Sequence, residues 1–150
     1  MKKRWINPRI FARENKTKLK QTFTKEERLH EKKLIERLFK DGKSFFTFPF
    51  QVFFSPLKTT SRYPARVLIS VPKRNFKRAV DRNRIKRLVR EAYRRNKYIL
   101  CPPGKKAGCT HPLLIGLIYT AKVHTDYVEV ERKIILILQQ LFEKNEQVTE

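Results

Sequence analysis

Residues 82–93, RNRIKRLVREAY, constrain the fold of this chain more than any other segment. Placed on a helix at about 100° per residue, the basic side chains fill one arc and the apolar side chains fill the other. The apolar arc holds Ile85, Leu88, Val89 and Ala92. The basic arc holds Arg82, Asn83, Lys86, Arg87, Arg90 and the following Arg94. The pattern predicts a helix that buries one face in a core and presents a rigid array of basic groups on the other.

The residue types of the basic arc indicate what the helix binds. A guanidinium group matches phosphate in plane and through two hydrogen bonds, so the natural target is a polyanion of fixed geometry. Lys77, Arg78 and Arg82 lie near the start of the predicted helix, with only Asp81 to offset them. Basic groups there oppose the helix dipole at about 0.3–1 kcal/mol each. This cost favours binding over the alternative of a merely solvated helix face.

The charge of the whole chain agrees with this interpretation. It has 36 Lys and Arg against 14 Asp and Glu, a net charge of +22 in 150 residues. Residues 1–22 carry eight basic residues and one acid, and residues 73–97 carry twelve and two, whereas residues 125–150 carry three and six. Such polarisation points to nucleic acid or an anionic membrane surface.

The length fits one domain with a single core. We expect a basic, disordered arm at 1–22, an RNA-binding domain at 23–144 and a tail at 145–150. No apolar run reaches the roughly 18–20 residues of a membrane span, and no apolar signal core follows the basic N-terminus. We therefore expect a cytoplasmic protein in which Cys101 and Cys109 are free thiols on a loop at 101–112. With His111 nearby, their spacing fits no tetrahedral metal site.

Periodicity and punctuation predict the order helix, strands, helix, strand, helix. A capping box of Thr24 and Glu27 predicts a helix over 24–40 that ends at Gly42. Alternation predicts strands at 50–55 and 65–71, and a continuous apolar run predicts a buried strand at 113–119. The basic helix, capped by Asn75, reaches about residue 97, and an amphipathic helix covers 127–144.

A second set of residues is suited to single-stranded RNA, which is held by basic grooves with aromatic platforms at about 1–3 kcal/mol per stacked base. On the helix predicted over 24–40, one face carries Arg28, Lys32, Ile35 and Phe39. Phe53 is an aromatic residue on the otherwise polar face of its strand. The alternatives stay open: Ile35 and Phe39 could pack in the core, and Phe53 could cover a neighbouring strand.

The catalytic motifs that can be tested fail. A phosphate-binding loop ending at 42–44 needs a glycine where Arg37 stands, and a zinc-protease motif beginning at His30 needs a second histidine where Leu34 stands. None of the three histidines lies in a recognisable acid–base or nucleophile pattern, and acidic residues are sparse. We therefore expect no catalytic side chains, no protein-bound metal and no bound cofactor.

Several segments of the chain resemble those of a known family. The segment KRNFKRAVDRNRIKRLVREAYR, residues 73–94, resembles the signature of the bacterial ribonuclease P protein subunit. Three shorter segments are similar too: TKEERL at 24–29, LFKDGKS at 38–44 and RVLISV at 66–71. The resemblance covers about residues 22–142. Many members carry a glycine just before the basic helix, where this chain has residues NFKR at 75–78.

The resemblance implies an α+β fold, a small α/β sandwich with a mixed sheet of about four strands, three helices and a left-handed crossover around the basic helix. It also implies the protein half of a ribonucleoprotein endonuclease that removes the 5′ leader of precursor tRNA. Catalysis would come from the RNA subunit and its Mg²⁺, without DNA or a membrane as partner. The implied RNA-subunit contacts are Lys73, Arg74, Arg78, Arg82, Asn83, Arg84, Lys86, Arg87, Arg90 and Arg94. The implied leader contacts are Arg28, Lys32, Ile35, Phe39, Phe53 and Arg66.

Three other functions are compatible with the composition. The main alternative is a non-catalytic RNA-binding protein of the ribosomal type, which would have similar charge and an α/β fold. A peripheral membrane protein would need large apolar residues opposite the charges and free for lipid. A stand-alone nuclease would cleave RNA without any RNA subunit.

Overall fold

The computed structural model describes residues 22–57, 63–100 and 112–148. These ranges contain the helices α1 (Lys32–Asp41), α2 (Ala79–Asn96) and α3 (Tyr127–Val148). They also contain the strands β1 (Lys43–Thr47), β2 (Phe50–Pro56), β3 (Ala65–Ser70) and β4 (Leu113–Tyr119). Short 3₁₀ turns occupy Lys25–Glu27 and Lys97–Leu100.

The four strands form one mixed sheet in the order β1-β2-β4-β3. β2 pairs antiparallel with both β1 and β4, whereas β3 and β4 are parallel neighbours. Because parallel strands need a crossover connection, the chain between them passes through α2. The mixed four-stranded sheet with three helices confirms the predicted fold class; the left-handed sense of the crossover stays a prediction.

Helices cover both faces of the sheet. Alternate residues of β2, namely Phe50, Val52 and Phe54, are buried in a large core with the apolar sides of α2 and α3. Phe53 points the other way, into a smaller cluster with Leu38 of α1 and Leu114 of β4. α1 therefore lies on one face of the sheet, and α2 and α3 lie on the opposite face.

The predicted apolar arc of α2 is confirmed. Ile85, Val89, Ala92 and Tyr93 are buried, and Leu88 packs against the same core at partial exposure. This face is what a peripheral membrane protein would offer to lipid, and here it is committed to the protein core. None of the described helices is long and apolar enough to cross a bilayer.

The first predicted helix is wrong over its first half. The capping box of Thr24 and Glu27 forms, but it caps only the 3₁₀ turn. Arg28 then pairs with Val67 in a β-bridge, and the Leu29 N–H donates to the Val67 carbonyl at 3.1 Å. Pairing with the edge of β3 competes with helix formation, so α1 begins only at Lys32.

A buried ion pair holds this N-terminal turn against α2. Lys97 Nζ lies 2.7 Å from Glu27 Oε1, with side chains 2% and 0% exposed. Lys97 also donates to the Thr22 carbonyl, and the Phe23 ring packs edge-on against Tyr93 with centroids 5.7 Å apart. Burial and the nearby Glu27 carboxylate raise the pKa of Tyr93 well above its usual range.

Three further differences from the sequence-based prediction concern turns and ends. β1 was not predicted, because its adjacent Phe45 and Phe46 break the alternation typical of a strand. Asn75 does not cap α2; its side-chain amide donates to the Thr120 carbonyl at 3.2 Å, and Arg78 is the N-cap residue. α3 extends to Val148, so residues 145–148 of the predicted tail are helical.

Some predictions fall on parts of the chain outside the described residues. These are the arm at 1–22 apart from Thr22, and the loop with Cys101, Cys109 and His111.

Candidate nucleic-acid interface

The outward face of α2 is basic along its length. Asn83, Arg84 and Arg87 are exposed, and Lys86, Arg90 and Arg94 are half-exposed. Just before the helix, Lys73, Arg74 and Arg78 are exposed as well. Because the opposite face of α2 is fixed in the core, these side chains project from a rigid support. The structure therefore leaves these nine of the ten predicted RNA-subunit contacts accessible on α2 and on the segment that precedes it.

The members of this surface differ in their intramolecular partners. Arg94 lies 2.6 Å from Glu91, and Arg95 lies 2.9 Å from the same carboxylate oxygen. Hydrogen bonding to the Arg94 guanidinium lowers the pKa of Glu91, and the carboxylate raises the pKa of Arg94. Within the described part of the chain, no carboxylate pairs with Arg84, Arg87 or Arg90. These three arginines of α2 are therefore available to an external phosphate.

Arg82 differs from the neighbouring arginines in its hydrogen-bond partners. Its guanidinium donates to the Phe76 carbonyl at 2.8 Å and to the Lys77 carbonyl at 2.9 Å. Both carbonyls belong to the segment that precedes α2, and Phe76 itself is buried in the main core. Arg82 therefore fixes the path of the basic segment at 73–78. This bonding was not foreseen from the helical pattern, which places Arg82 with the other arginines.

A second surface lies on the opposite face of the sheet, beside α1. The rings of Phe39 and Phe53 meet edge-on, with centroids 5.0 Å apart, and Phe39 is 40% exposed. They meet above Gly116, where an added Cβ would lie 3.2 Å from Leu38 Cδ2 and 3.8 Å from Phe39 Cζ. The missing side chain at Gly116 lets α1 approach the sheet and support a half-open aromatic site.

The polar members of this surface lie near the start of α1. Arg66 on β3 donates to Glu31 at 3.0 Å, with side chains 32% and 53% exposed. Lys32 is exposed in the first turn. Seven residues separate Lys32 from Phe39, so the basic and aromatic ends are about 10 Å apart along the helix. Ile35, between them, is partly buried against the Leu38 cluster, as its packing alternative anticipated.

Arg28 does not belong to this helical face, which corrects the predicted grouping. It precedes α1 in extended conformation, and its guanidinium carbon lies 5.6 Å from the centroid of the Phe23 ring. Phe23 packs on Tyr93 of α2, on the other side of the sheet from Phe39. The bridge to Val67 is the physical reason, because it replaces the helical turn that would have aligned Arg28 with Lys32.

Two residues of this sheet face were missed by sequence reasoning. Gly116 carries no periodic signal, although a glycine within an apolar strand can mark close approach of another element. Phe46 was missed together with β1; its register opposite Gln51 places it on the same face as Phe53. Among the described residues, no group of three or more His, Cys, Asp and Glu side chains could hold a metal ion.

Comparisons with known proteins agree with this architecture. Among curated proteins, the ribonuclease P protein component of Porphyromonas gingivalis is 44% identical over 77 residues, covering 51% of this chain and 56% of that protein. That of Chlorobaculum tepidum is 39% identical over 99 residues, covering 61% and 62%. The chain thus spans just over half the length of these curated relatives.

Solved structures give wider coverage. The RNase P protein from Thermotoga maritima, in complex with 1-(4-fluorophenyl)-2-thiourea, matches with a TM-score of 0.60 and 30% identity over 75% of this chain and 98% of that chain. A Staphylococcus aureus RNase P protein mutant with defective mRNA degradation activity matches with a TM-score of 0.60 and 26% identity over 78% and 89%.

The ribonuclease P family model matches residues 23–141. This range begins at the phenylalanine that packs on Tyr93, includes both candidate surfaces and ends at the buried Leu141 of α3. The chain belongs to the ribonuclease P protein family.

Proposed function

We propose that this chain is the protein subunit of ribonuclease P, which assists the removal of the 5′ leader from precursor tRNA. In this proposal α2 and the preceding basic segment bind the catalytic RNA subunit. The surface of α1 and the sheet binds the single-stranded leader. The RNA subunit holds the Mg²⁺ and performs the cleavage, and the protein supplies no catalytic side chain.

The observation that carries the proposal is the exposed face of α2, with three arginines that lack acidic partners among the described residues. Arg84, Arg87 and Arg90 recur every third residue, so they lie about 4.5 Å apart along the axis. A buried apolar side fixes the helix, so little backbone conformational entropy remains to be lost when the array meets phosphates. Such an array suits a folded RNA, whose phosphates are also held in fixed positions.

The second surface supports a separate role toward a single strand. Phe39 and Phe53 offer apolar ring surface to an unpaired base. Positive charge near the start of α1 comes from the exposed Lys32 and from Arg66, which pairs with Glu31. Because α1 and α2 cover opposite faces of the sheet, one protein could contact a structured RNA and a leader at the same time. Lys32, Arg66, Phe39 and Phe53 are the leader contacts we propose, with Ile35 supporting them from the packed side of α1.

A ribosomal-type RNA-binding protein is the second candidate, favoured by the net charge of +22 alone. Such a protein would sediment with ribosomal subunits and would not change the cleavage of precursor tRNA.

Reconstitution tests the proposal. The full chain is combined with the catalytic RNA transcribed from the same genome, and cleavage of a precursor tRNA is followed as Mg²⁺ is lowered. We expect the protein to sustain cleavage at Mg²⁺ concentrations where the RNA alone is inactive. Absence of stimulation by a folded protein would overturn the proposal. Cleavage by the protein without RNA would overturn it in favour of a stand-alone nuclease.

A further inference from the structure

Two exposed aromatic residues at the β1–β2 hairpin have no role in the function proposed above. Phe46 is 57% exposed and Phe48 is 60% exposed, the largest exposed fractions among the aromatic residues described. Their rings are tilted at 60° with centroids 6.4 Å apart, so they form a pair. Single exposed apolar residues are ordinary, but two adjacent phenylalanines on a highly charged protein call for a partner.

The register of the sheet places this pair next to the aromatic site of α1. Phe46 lies opposite Gln51, and Phe53 lies two residues further along the same strand, opposite Ser44. Phe46 and Phe53 are therefore diagonal neighbours on one face, about 7–8 Å apart. The neighbouring Phe45 and Thr47 point to the other face: Phe45 packs on Phe54, and Thr47 donates to Gln140 of α3.

A row of side chains continues from Phe46 across the whole sheet. Gln51 pairs with Ile118, and Ile118 pairs with Ser70 on β3. All three are half-exposed, and this row lies beyond the part of the sheet over which Leu38 and Phe39 pack at Gly116. Three residues past Ser70 the chain reaches the exposed Lys73 and Arg74. The row therefore joins an aromatic end at the hairpin to the basic segment before α2.

The composition of the row favours an unpaired RNA strand as its occupant. Apolar Phe46 and Ile118 alternate with polar Gln51 and Ser70, which suits bases that have flat apolar faces and polar edges. A second copy of this chain would bring two molecules of net charge +22 together, which electrostatic repulsion disfavours. The row is also continuous with the Phe39–Phe53 site proposed for the leader.

We infer that Phe46 and Phe48 form a second stacking platform for the leader of precursor tRNA, which extends the leader path past Phe39 and Phe53 along the open row of the sheet. This inference rests on the proposed function. It predicts that lengthening the leader beyond the Phe39–Phe53 site increases the affinity for precursor tRNA only once the leader reaches the hairpin.

The test measures the affinity of reconstituted holoenzyme for mature tRNA and for precursors with progressively longer leaders. We expect Phe46→Ala/Phe48→Ala to weaken binding of the longest leader about 5- to 150-fold, the range for one lost base stack, with no effect on mature tRNA. Phe46→Tyr/Phe48→Tyr should restore binding to within about twofold, because tyrosine keeps the ring face. Leu136→Ala, at a 41% exposed apolar position on α3, is the matched control and should leave every affinity unchanged.

Several results would overturn the inference. One such result is that Phe46→Ala/Phe48→Ala keeps the parent's preference for long leaders, whereas Phe39→Ala/Phe53→Ala changes that preference. The proposed function would then stand. If Phe46→Ala/Phe48→Ala instead weakens binding to the RNA subunit in the absence of tRNA, the pair contacts that subunit and not the leader. A change from dimer to monomer in sedimentation, with leader affinity intact, would assign it to self-association. If the parent holoenzyme itself ignores the leader, the proposed leader-binding function fails with it.

Discussion

Removing the three unpaired arginines of α2 should change how salt affects binding to the catalytic RNA. Each phosphate contact contributes about 0.7–0.9 to the slope of log K against log salt, so Arg84→Gln/Arg87→Gln/Arg90→Gln should flatten the slope by about 2.1–2.7 units. Between about 50 and 200 mM salt, the advantage of the parent over the variant should then shrink about 20- to 40-fold. Arg82 is left in place, because its bonds to the Phe76 and Lys77 carbonyls would confound charge with structure.

A matched variant on the opposite face of the sheet controls for net charge. Lys33→Gln/Arg37→Gln/Lys40→Gln removes three charges from α1, so both variants lower the net charge of +22 by the same amount. Glutamine and arginine have similar helix propensities, so both variants should keep the melting temperature of the parent. The assay is filter binding or fluorescence anisotropy with the RNA subunit alone. An unchanged slope in the folded α2 variant, or equal flattening by the α1 variant, would refute the docking role of α2.

Two further predictions concern stability. Lys97→Met should lower the free energy of unfolding by about 3–5 kcal/mol, because it leaves the buried Glu27 carboxylate unpaired. Lys97→Met/Glu27→Gln should recover part of this loss. Urea unfolding measures both variants, and a loss below about 1 kcal/mol for the single change would contradict the buried ion pair. Gly42→Ala should lower the free energy of unfolding by about 1–3 kcal/mol, because its Cβ would lie 2.2 Å from the Leu38 carbonyl oxygen. At Gly116 the nearest atom to an added Cβ is a Leu38 methyl at 3.2 Å, which can move. Gly116→Ala is therefore the comparison, and an equal loss in the two variants would show that close backbone approach is not what requires Gly42.

The local sequence pattern was sufficient to predict burial where it depends mainly on the residues of one helix or strand. The spacing of Ile85, Val89 and Ala92 predicted which side of α2 is buried, and the apolar run at 113–119 predicted the central position of β4. In the helix, the period of the apolar residues matches the period of the structure, and in the strand the unbroken apolar run reflects burial on both faces of the sheet. The outward arginines follow directly, because a helix with one buried side has only one other side to expose.

Long-range contacts decided what the sequence could not. The capping box of Thr24 and Glu27 is a helix signal, but Glu27 also pairs with Lys97, seventy residues away, and Arg28 pairs with Val67. These contacts end the N-terminal turn after three residues. The leader surface likewise depends on register: only the pairing of β1, β2 and β4 brings Gly116 under Phe39 and places Phe46 beside Phe53.

The measurement that tests the central claim most directly is the ratio of holoenzyme affinities for precursor and mature tRNA, in the parent and in Phe53→Ala. Loss of one stacking platform costs about 1–3 kcal/mol per base, and mature tRNA has no leader to lose it. We predict that Phe53→Ala lowers this ratio about 5- to 150-fold while affinity for the RNA subunit stays unchanged. A thermal melt of the variant separates this effect from lost packing against Phe39. An unaltered ratio in a folded variant would contradict the account of this surface as the leader-binding site.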